Sequence, residues 1–386
     1  MDNRTATIVL NMLPGIGPLR VNQLLTLYGT PSAIFSASRD ELARVPGIGG
    51  HFAERIRQWQ NFCDIDAELE LVERGGVTLI TRDESEYPEL LHEIHDPPLC
   101  LYVRGDVSAL RTLKASVAIV GSRRTTRYGI STAGNLGTAA ALAGWTVVSG
   151  LARGIDTVAH QAVLDSEGCT VAVLGSGLAH LYPQENVDLA RRIAGTGGAL
   201  VSELPMRYRP DRRTFPMRNR IISGMTRGTI VVEAGTRSGS LITASQALDQ
   251  NRQVFAVPGR VDSPQSRGCH QLIKEGAVLV ENFHDVLAEF SFLPGLTAEA
   301  GTSLDAEASK AGEGDFMRAG DLQLTETETK LLAFIDRDER AIDDLISTVG
   351  EPTGKVLSAL VALEMRHLVR QLPGKRVVRT DSSIVG

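Results

Sequence analysis

Few cysteines, few aromatics and no long apolar run set the first limits on this chain. Its four cysteines, Cys63, Cys100, Cys169 and Cys269, are scattered through 386 residues. No pair has metal-ligand spacing and no disulfide framework emerges, so buried neutral thiols and no metal site are expected. No apolar stretch approaches membrane-spanning length, and the N-terminus lacks a basic-then-apolar signal design. The expected compartment is the cytoplasm, with no membrane partner. Aromatic residues make up 5% of the chain, so stacking on any nucleic acid is sparse and affinity mainly electrostatic. No G-x-G-x-x-G motif follows a strand, and neither a dinucleotide nor any other cofactor is expected. Positive charge is not in excess either. The net charge is -6 and the pI about 5.8, which excludes whole-protein attraction to polyanions and confines nucleic-acid binding to focused patches.

What is present falls into distinct regions. Residues 1–85 are helical in periodicity and contain two similar turns, Leu13-Pro-Gly-Ile-Gly-Pro18 and Val45-Pro-Gly-Ile-Gly-Gly50, each followed by an amphipathic run. This is a helix-hairpin-helix signature and predicts an all-α (SAM-like) domain. Free N–H groups of the following helices can hold a phosphate. Only Arg20 follows the first turn closely, so a packing role stands beside duplex contact.

Residues 86–290 alternate apolar strands with helices. Strands are expected at 117–120, 146–148, 171–174, 199–201, 230–232, 254–257 and 278–280, with helices at 128–143, 155–167, 185–195, 218–227 and 240–250. Continuous β-branched runs predict a parallel sheet buried on both faces, a doubly wound, Rossmann-like α/β fold. The 38 glycines fit many tight strand-to-helix turns. Residues 291–324, rich in Gly, Ala, Ser, Thr and acids, are expected to form a flexible linker. Residues 325–386 read as three helices (326–335, 342–347, 353–366) and a strand-turn-strand with Pro373-Gly374 at its turn, a winged-helix plan.

The most distinctive stretch is Arg207 to Arg220, RYRPDRRTFPMRNR, with six arginines in fourteen residues and one acid, Asp211. Guanidinium forks match phosphate oxygens and stay charged when partly desolvated. Phe215 and Tyr208 offer faces for a base. In open parallel sheets ligands bind at strand carboxyl ends, and several loops there carry anion-binding residues. Gly121, Ser122, Arg123, Arg124, Thr125 and Arg127 follow the first Rossmann strand. Gly150 and Arg153 follow the second, with Asp156 expected to cap a helix or pair with an arginine. His160 is expected to be structural. Arg218, Asn219 and Arg220 are expected in a helix's first turn, where cations oppose the dipole unless an anion sits beside them. Ser238, Gly239 and Ser240 can form a backbone nest. Repetition along the sheet edge suits an extended polyanion, read through its backbone. About four phosphates on a single strand imply a slope of log K against log salt near about -2.8. The third C-terminal helix offers only Lys355 and Arg366, which weakens a sequence-specific regulator; the turn carries Lys375, Arg376 and Arg379, so duplex contact through the hairpin stands open beside a protein-contact role that is at least as well served.

The motifs VAIVGSRRTTRYG, VVSGLARGIDTVAH, TVAVLGSGLAHLYPQEN, VSELP, FPMRNRIISG, VVEAGTRSGSLITASQALDQ and VFAVPG resemble the DNA-processing protein A (DprA, or Smf) family. The resemblance covers essentially the whole of 86–290, and YPELLHEIHDPPLCLYVRGD is similar to that family's entry into its Rossmann domain. It implies a non-enzymatic, single-stranded DNA-binding recombination mediator that protects incoming strands in natural transformation and loads RecA onto them. It further implies a homodimer joined through the Rossmann domain. The family's Gly-Ser-Arg phosphate motif falls on Gly121, Ser122 and Arg123. Its basic pocket and base-contacting Phe fall on Arg212, beside Arg213, and on Phe215, with Arg218, Asn219 and Arg220 in the adjoining motif. The competing expectation is a nucleotide phosphoribohydrolase on a related core, using Asp156, Glu203 or Glu233 as acid or base. Its Gly-rich pattern is absent, because Glu233 precedes the Gly-rich loop.

Overall fold

Short β-branched runs build one nine-stranded sheet in the computed structural model, which describes residues 1–291 and a smaller set of positions between Lys330 and Arg379. The strands are β1 (Val77–Thr81), β2 (Cys100–Gly105), β3 (Ser116–Val120), β4 (Thr146–Ser149), β5 (Thr170–Val173), β6 (Ala199–Ser202), β7 (Gly228–Val231), β8 (Gln253–Ala256) and β9 (Val278–Leu279). Their order is β1-β2-β6-β5-β4-β3-β7-β8-β9. From β6 to β9 every pairing is parallel. β2 runs antiparallel to β6, and β1 antiparallel to β2.

Strand alternation sorts the core onto two faces. Ala118 and Val120 of β3 join Val231, Ala256, Ile221, Ile222 and Ala244, beneath the helices Thr214–Gly224 and Gly239–Asp249. Val117 and Ile119 join Val147, Ile230, Leu136 and Ile155, beneath the helices Arg127–Leu142 and Ile155–Asp165. Both faces are covered, as continuous apolar strands require. The seven expected strands and five expected helices all form, mostly within two residues of their expected ends. The helix expected at 218–227 is the exception: it runs Thr214–Gly224.

Both helix-hairpin-helix turns are present. Gly15 and Gly47 take φ of 76° and 77°, and the helices Pro18–Tyr28 and Gly49–Arg57 follow them. Arg20 donates to the carbonyls of Gly15 and Gly47, both at 2.9 Å, so the one cation close behind the first turn ties the two turns together. The boundary expected at residue 85 lies beyond β1, which is a strand of the core sheet. Ile8 and Val72 share a buried cluster with Leu174, Leu200 and Met206, so the helices Asn3–Met12 and Ile65–Arg74 are seated on the sheet. Residues 1–302 form one unit and 303–386 a second.

In the second unit, Val369–Leu372 pairs antiparallel with Arg376–Arg379, the expected strand-turn-strand, and Arg340–Ala341 adds a third strand. Leu331, Ile335, Leu345, Val356, Leu360, Leu363, Val369 and Val377 form its own core. The turn at 373–375 lies outside the described residues. So does the expected linker apart from Ser291, and so do most positions of the three expected helices. No helix among the described residues is long and apolar enough to cross a membrane.

Candidate nucleic-acid interface

The chain reverses its direction of travel across the sheet between β3 and β7. From β3 the strands proceed through β4 and β5 to β6; from β7 they proceed the other way, through β8 to β9. Loops leaving the carboxyl ends of these two neighbours part and leave a crevice. An open cavity of about 940 Å³ occupies it. Loops after β3, β4, β5, β6, β7 and β8 all contribute to its lining.

Its floor is a buried cation. Arg218, 4% exposed, donates through Nη1 to the Gly150 carbonyl at 2.7 Å and to the Val173 carbonyl. Gly150 has no room for a side chain, since a Cβ there would lie 2.4 Å from Nη1. Burial pulls the Arg218 pKa down to about 10, which still leaves it charged at neutral pH. Asp156 accepts from the Gly150 and Ala152 amides at 3.1 and 3.3 Å, shaping the turn after β4. Burial pushes its carboxyl above the usual range, against the pull of Arg218.

The rim carries the free charge. Arg123, Arg124, Arg212, Arg237 and Arg267 line the cavity, are exposed, and make no side-chain ion pair among the described residues. Arg123 and Arg124 are aimed by a turn in which the Ser122 hydroxyl accepts from the Arg124 amide at 3.0 Å. Glu233 fixes the rest of that loop, accepting from the Thr125 hydroxyl at 2.7 Å, the Thr126 amide at 2.9 Å and the Thr126 hydroxyl at 2.5 Å. On the opposite wall, Ser238, Gly239 and Ser240 open the 239–249 helix, whose first amides and dipole favour an anion. Phe215 sits over Gly175, where a Cβ would lie 2.8 Å from the ring. Asn219 lines the wall and donates to the Gly239 carbonyl at 3.4 Å.

The sequence profile described as DNA recombination-mediator protein A matches residues 78–291, more than half of the chain. The chain belongs to the DNA recombination-mediator protein A family. A DprA winged helix domain profile matches 318–375, and a SAM-like helix-hairpin-helix tandem profile matches 8–58. Protein Smf of Escherichia coli (strain K12) is 37% identical over 328 residues, 83% of either chain. Protein Smf of Synechocystis is 33% identical, covering 96% of this chain and 97% of its own. The X-ray structure of DNA processing protein A from Streptococcus pneumoniae superposes with a TM-score of 0.66 at 35% identity, covering 76% of this chain and 100% of that one.

Within this family member, the cavity gathers Gly121, Ser122, Arg123, Arg124, Arg212, Phe215, Arg218, Asn219, Ser238, Gly239 and Ser240 of the residues expected from sequence. Others lie elsewhere. Arg220 is turned inward and pairs with Glu203 at 2.5 Å and Asp96 at 2.8 Å. Arg213 pairs with Asp211 on an outer surface at 3.0 Å. Arg127 is exposed at the start of its helix but outside the cavity lining. Arg153 pairs with Glu185 beside a smaller adjoining hollow, and Gly150 makes room for Arg218. Because the 214–224 helix starts at Thr214, Arg218 to Arg220 are a full turn inside it, so the expected clash with the helix dipole does not arise. His160 is fully buried and hydrogen-bonded to Thr170 at 2.7 Å; burial holds its pKa down at about 3. Arg267 and Tyr182 also line the cavity but escaped the sequence reading. Arg267 stands at the start of a helix beyond β8 with no Gly-rich motif to mark it.

Proposed function

We propose that this member of a DNA-processing recombination family binds single-stranded DNA along the arginine-lined trough, protects incoming strands in natural transformation and loads RecA onto them. The observation that carries this reading is the ring of five exposed arginines, none with an ion-pair partner among the described residues, around an open cavity in a chain of net charge -6. The loops after β6, β5, β4, β3, β7 and β8 leave six adjacent strands, which span roughly 24 Å at about 4.8 Å per strand. That breadth suits several consecutive phosphates better than the single phosphate group of a mononucleotide. Family membership supports the hand-off to RecA and pairing of two copies through the Rossmann domain.

The carboxylates of the enzymatic alternative are engaged within the fold. Glu233 braces the loop after β3, Glu203 pairs with Arg220, and Asp156 braces the turn after β4. Incubation with nucleotides is expected to release no product; turnover abolished by Glu233→Gln would restore that alternative.

The direct test is fluorescence anisotropy of oligo-dT binding across a salt series. Arg212→Ala and Arg237→Ala are each expected to weaken binding and to reduce the magnitude of the log K against log salt slope by about 0.7, one phosphate contact apiece. Thermal unfolding should stay at the wild-type value, because both side chains are exposed. Unchanged affinity in both variants refutes the trough as the binding site.

A further inference from the structure

Two aromatic rings border the trough, and they are not equivalent. Phe215 is half-buried over Gly175, and the Arg123 guanidinium carbon lies 5.4 Å from its ring centroid. Tyr182 stands beside it, with centroids 5.7 Å apart and planes tilted by 43°. Phe215 is therefore engaged below by backbone, above by a cation and laterally by another ring. Tyr182 is 38% exposed and lines both the large cavity and the adjoining hollow. That hollow, about 20 Å³, is bounded further by Arg153, Pro183 and Arg218. Arg153 of its lining pairs with Glu185, both partners about half exposed. Tyr208 is 44% exposed but lines neither space.

We propose that Tyr182 is a nucleobase-stacking site at the side of the trough, with the Arg153–Glu185 pair offering donors and acceptors to the edge of the stacked base. This rests on the reading that the trough holds a single strand. The arginine rim of the large cavity takes phosphates, and the exposed Tyr182 ring in the wall of that same cavity takes an unpaired base. Every base has a flat π face, so the site accepts any base and excludes a duplex, whose bases are already stacked. It supplies the preference for single strands that phosphate contacts alone lack.

The test compares oligo-dT with an abasic oligomer of the same length and charge. Tyr182→Ala should weaken oligo-dT binding by about five-fold or more, the effect of one lost stacked base, and leave the abasic oligomer unchanged. Tyr182→Phe should bind both as wild type does. Tyr182→Leu, which keeps bulk without a π face, should behave as the alanine variant and covers the case in which alanine disturbs the loop. Equal weakening on both oligomers, or no weakening on oligo-dT, overturns the proposal. Arg212→Ala separates this outcome from failure of the trough itself, since it should weaken both oligomers alike; if it weakens neither, the trough reading falls.

Discussion

One run of arginines is divided among three physical tasks. Arg212 stands on the rim with no ion-pair partner among the described residues, Arg218 is buried as the floor, and Arg220 is locked between two carboxylates. The difference lies in what each meets, since all three carry the same group. Arg220 has 7% of its side chain exposed, and Glu203 has 10%. Burial pushes the Glu203 carboxyl up while Arg220 pulls it down; around Arg220 the carboxylates outweigh its own desolvation and raise its pKa. Removing one member of such a cluster leaves a buried charge uncompensated. Arg220→Ala should therefore destabilise the fold by about 3–5 kcal/mol, read from denaturant unfolding. Where the variant remains folded, its oligo-dT affinity should match the wild type. A loss of affinity without loss of stability would return Arg220 to the binding surface.

The arginine loop owes its starting position to an element far away in sequence. Its first residues are fixed from two sides. The Met206 and Tyr208 carbonyls accept from the Ala179 and Gly177 amides at 3.0 and 2.8 Å. The Met206 amide donates to Glu68 at 2.7 Å, and Glu68 lies 5% exposed on the helix Ile65–Arg74 of the helix-hairpin-helix region. An N-terminal helix thus anchors the entry to the loop that carries Arg212. Glu68→Ala leaves that amide unpaired, at a cost of about 1–3 kcal/mol. Tryptic cleavage at Arg207, Arg212 and Arg213 should accelerate below the melting temperature. Glu68→Gln keeps the acceptor and should be cleaved as slowly as wild type. Equal cleavage of the alanine variant and wild type would show the loop to be held from the sheet side alone.

The whole molecule is acidic with a basic trough, so attraction to a polyanion is focused and falls steeply with salt. Every lining residue of the trough belongs to the 1–302 unit, which also contains the complete nine-stranded sheet. A chain ending at residue 302 should therefore bind oligo-dT with an affinity close to that of the full chain, by anisotropy at fixed salt. Collapse of binding would place the site in the C-terminal unit.

Much of this was legible from residues alone, for stated reasons. Strands β3 to β9 are continuous apolar runs, and the paired Pro-Gly-hydrophobe-Gly turns carry their conformation in their composition. The loops bearing Gly121–Arg124 and Ser238–Ser240 follow such strands, so their place at the sheet's carboxyl edge comes with the doubly wound plan. β1 and β2 were missed because they lie outside the alternating strand-helix pattern: they pair antiparallel with each other, and β2 runs antiparallel to β6. The start of the 214–224 helix escaped because Pro216 reads as a breaker, yet proline is tolerated in a first turn where no intrahelical N–H bond is lost. The sequence by itself determined the architecture, the family and the store of guanidinium groups, since periodicity and turn chemistry act over a few residues. Tertiary structure alone decided which arginines stay free. Glu203 and Asp96 reach Arg220 from 17 and 124 positions away, and a charge's task depends on the neighbours that burial brings within about 4 Å of it.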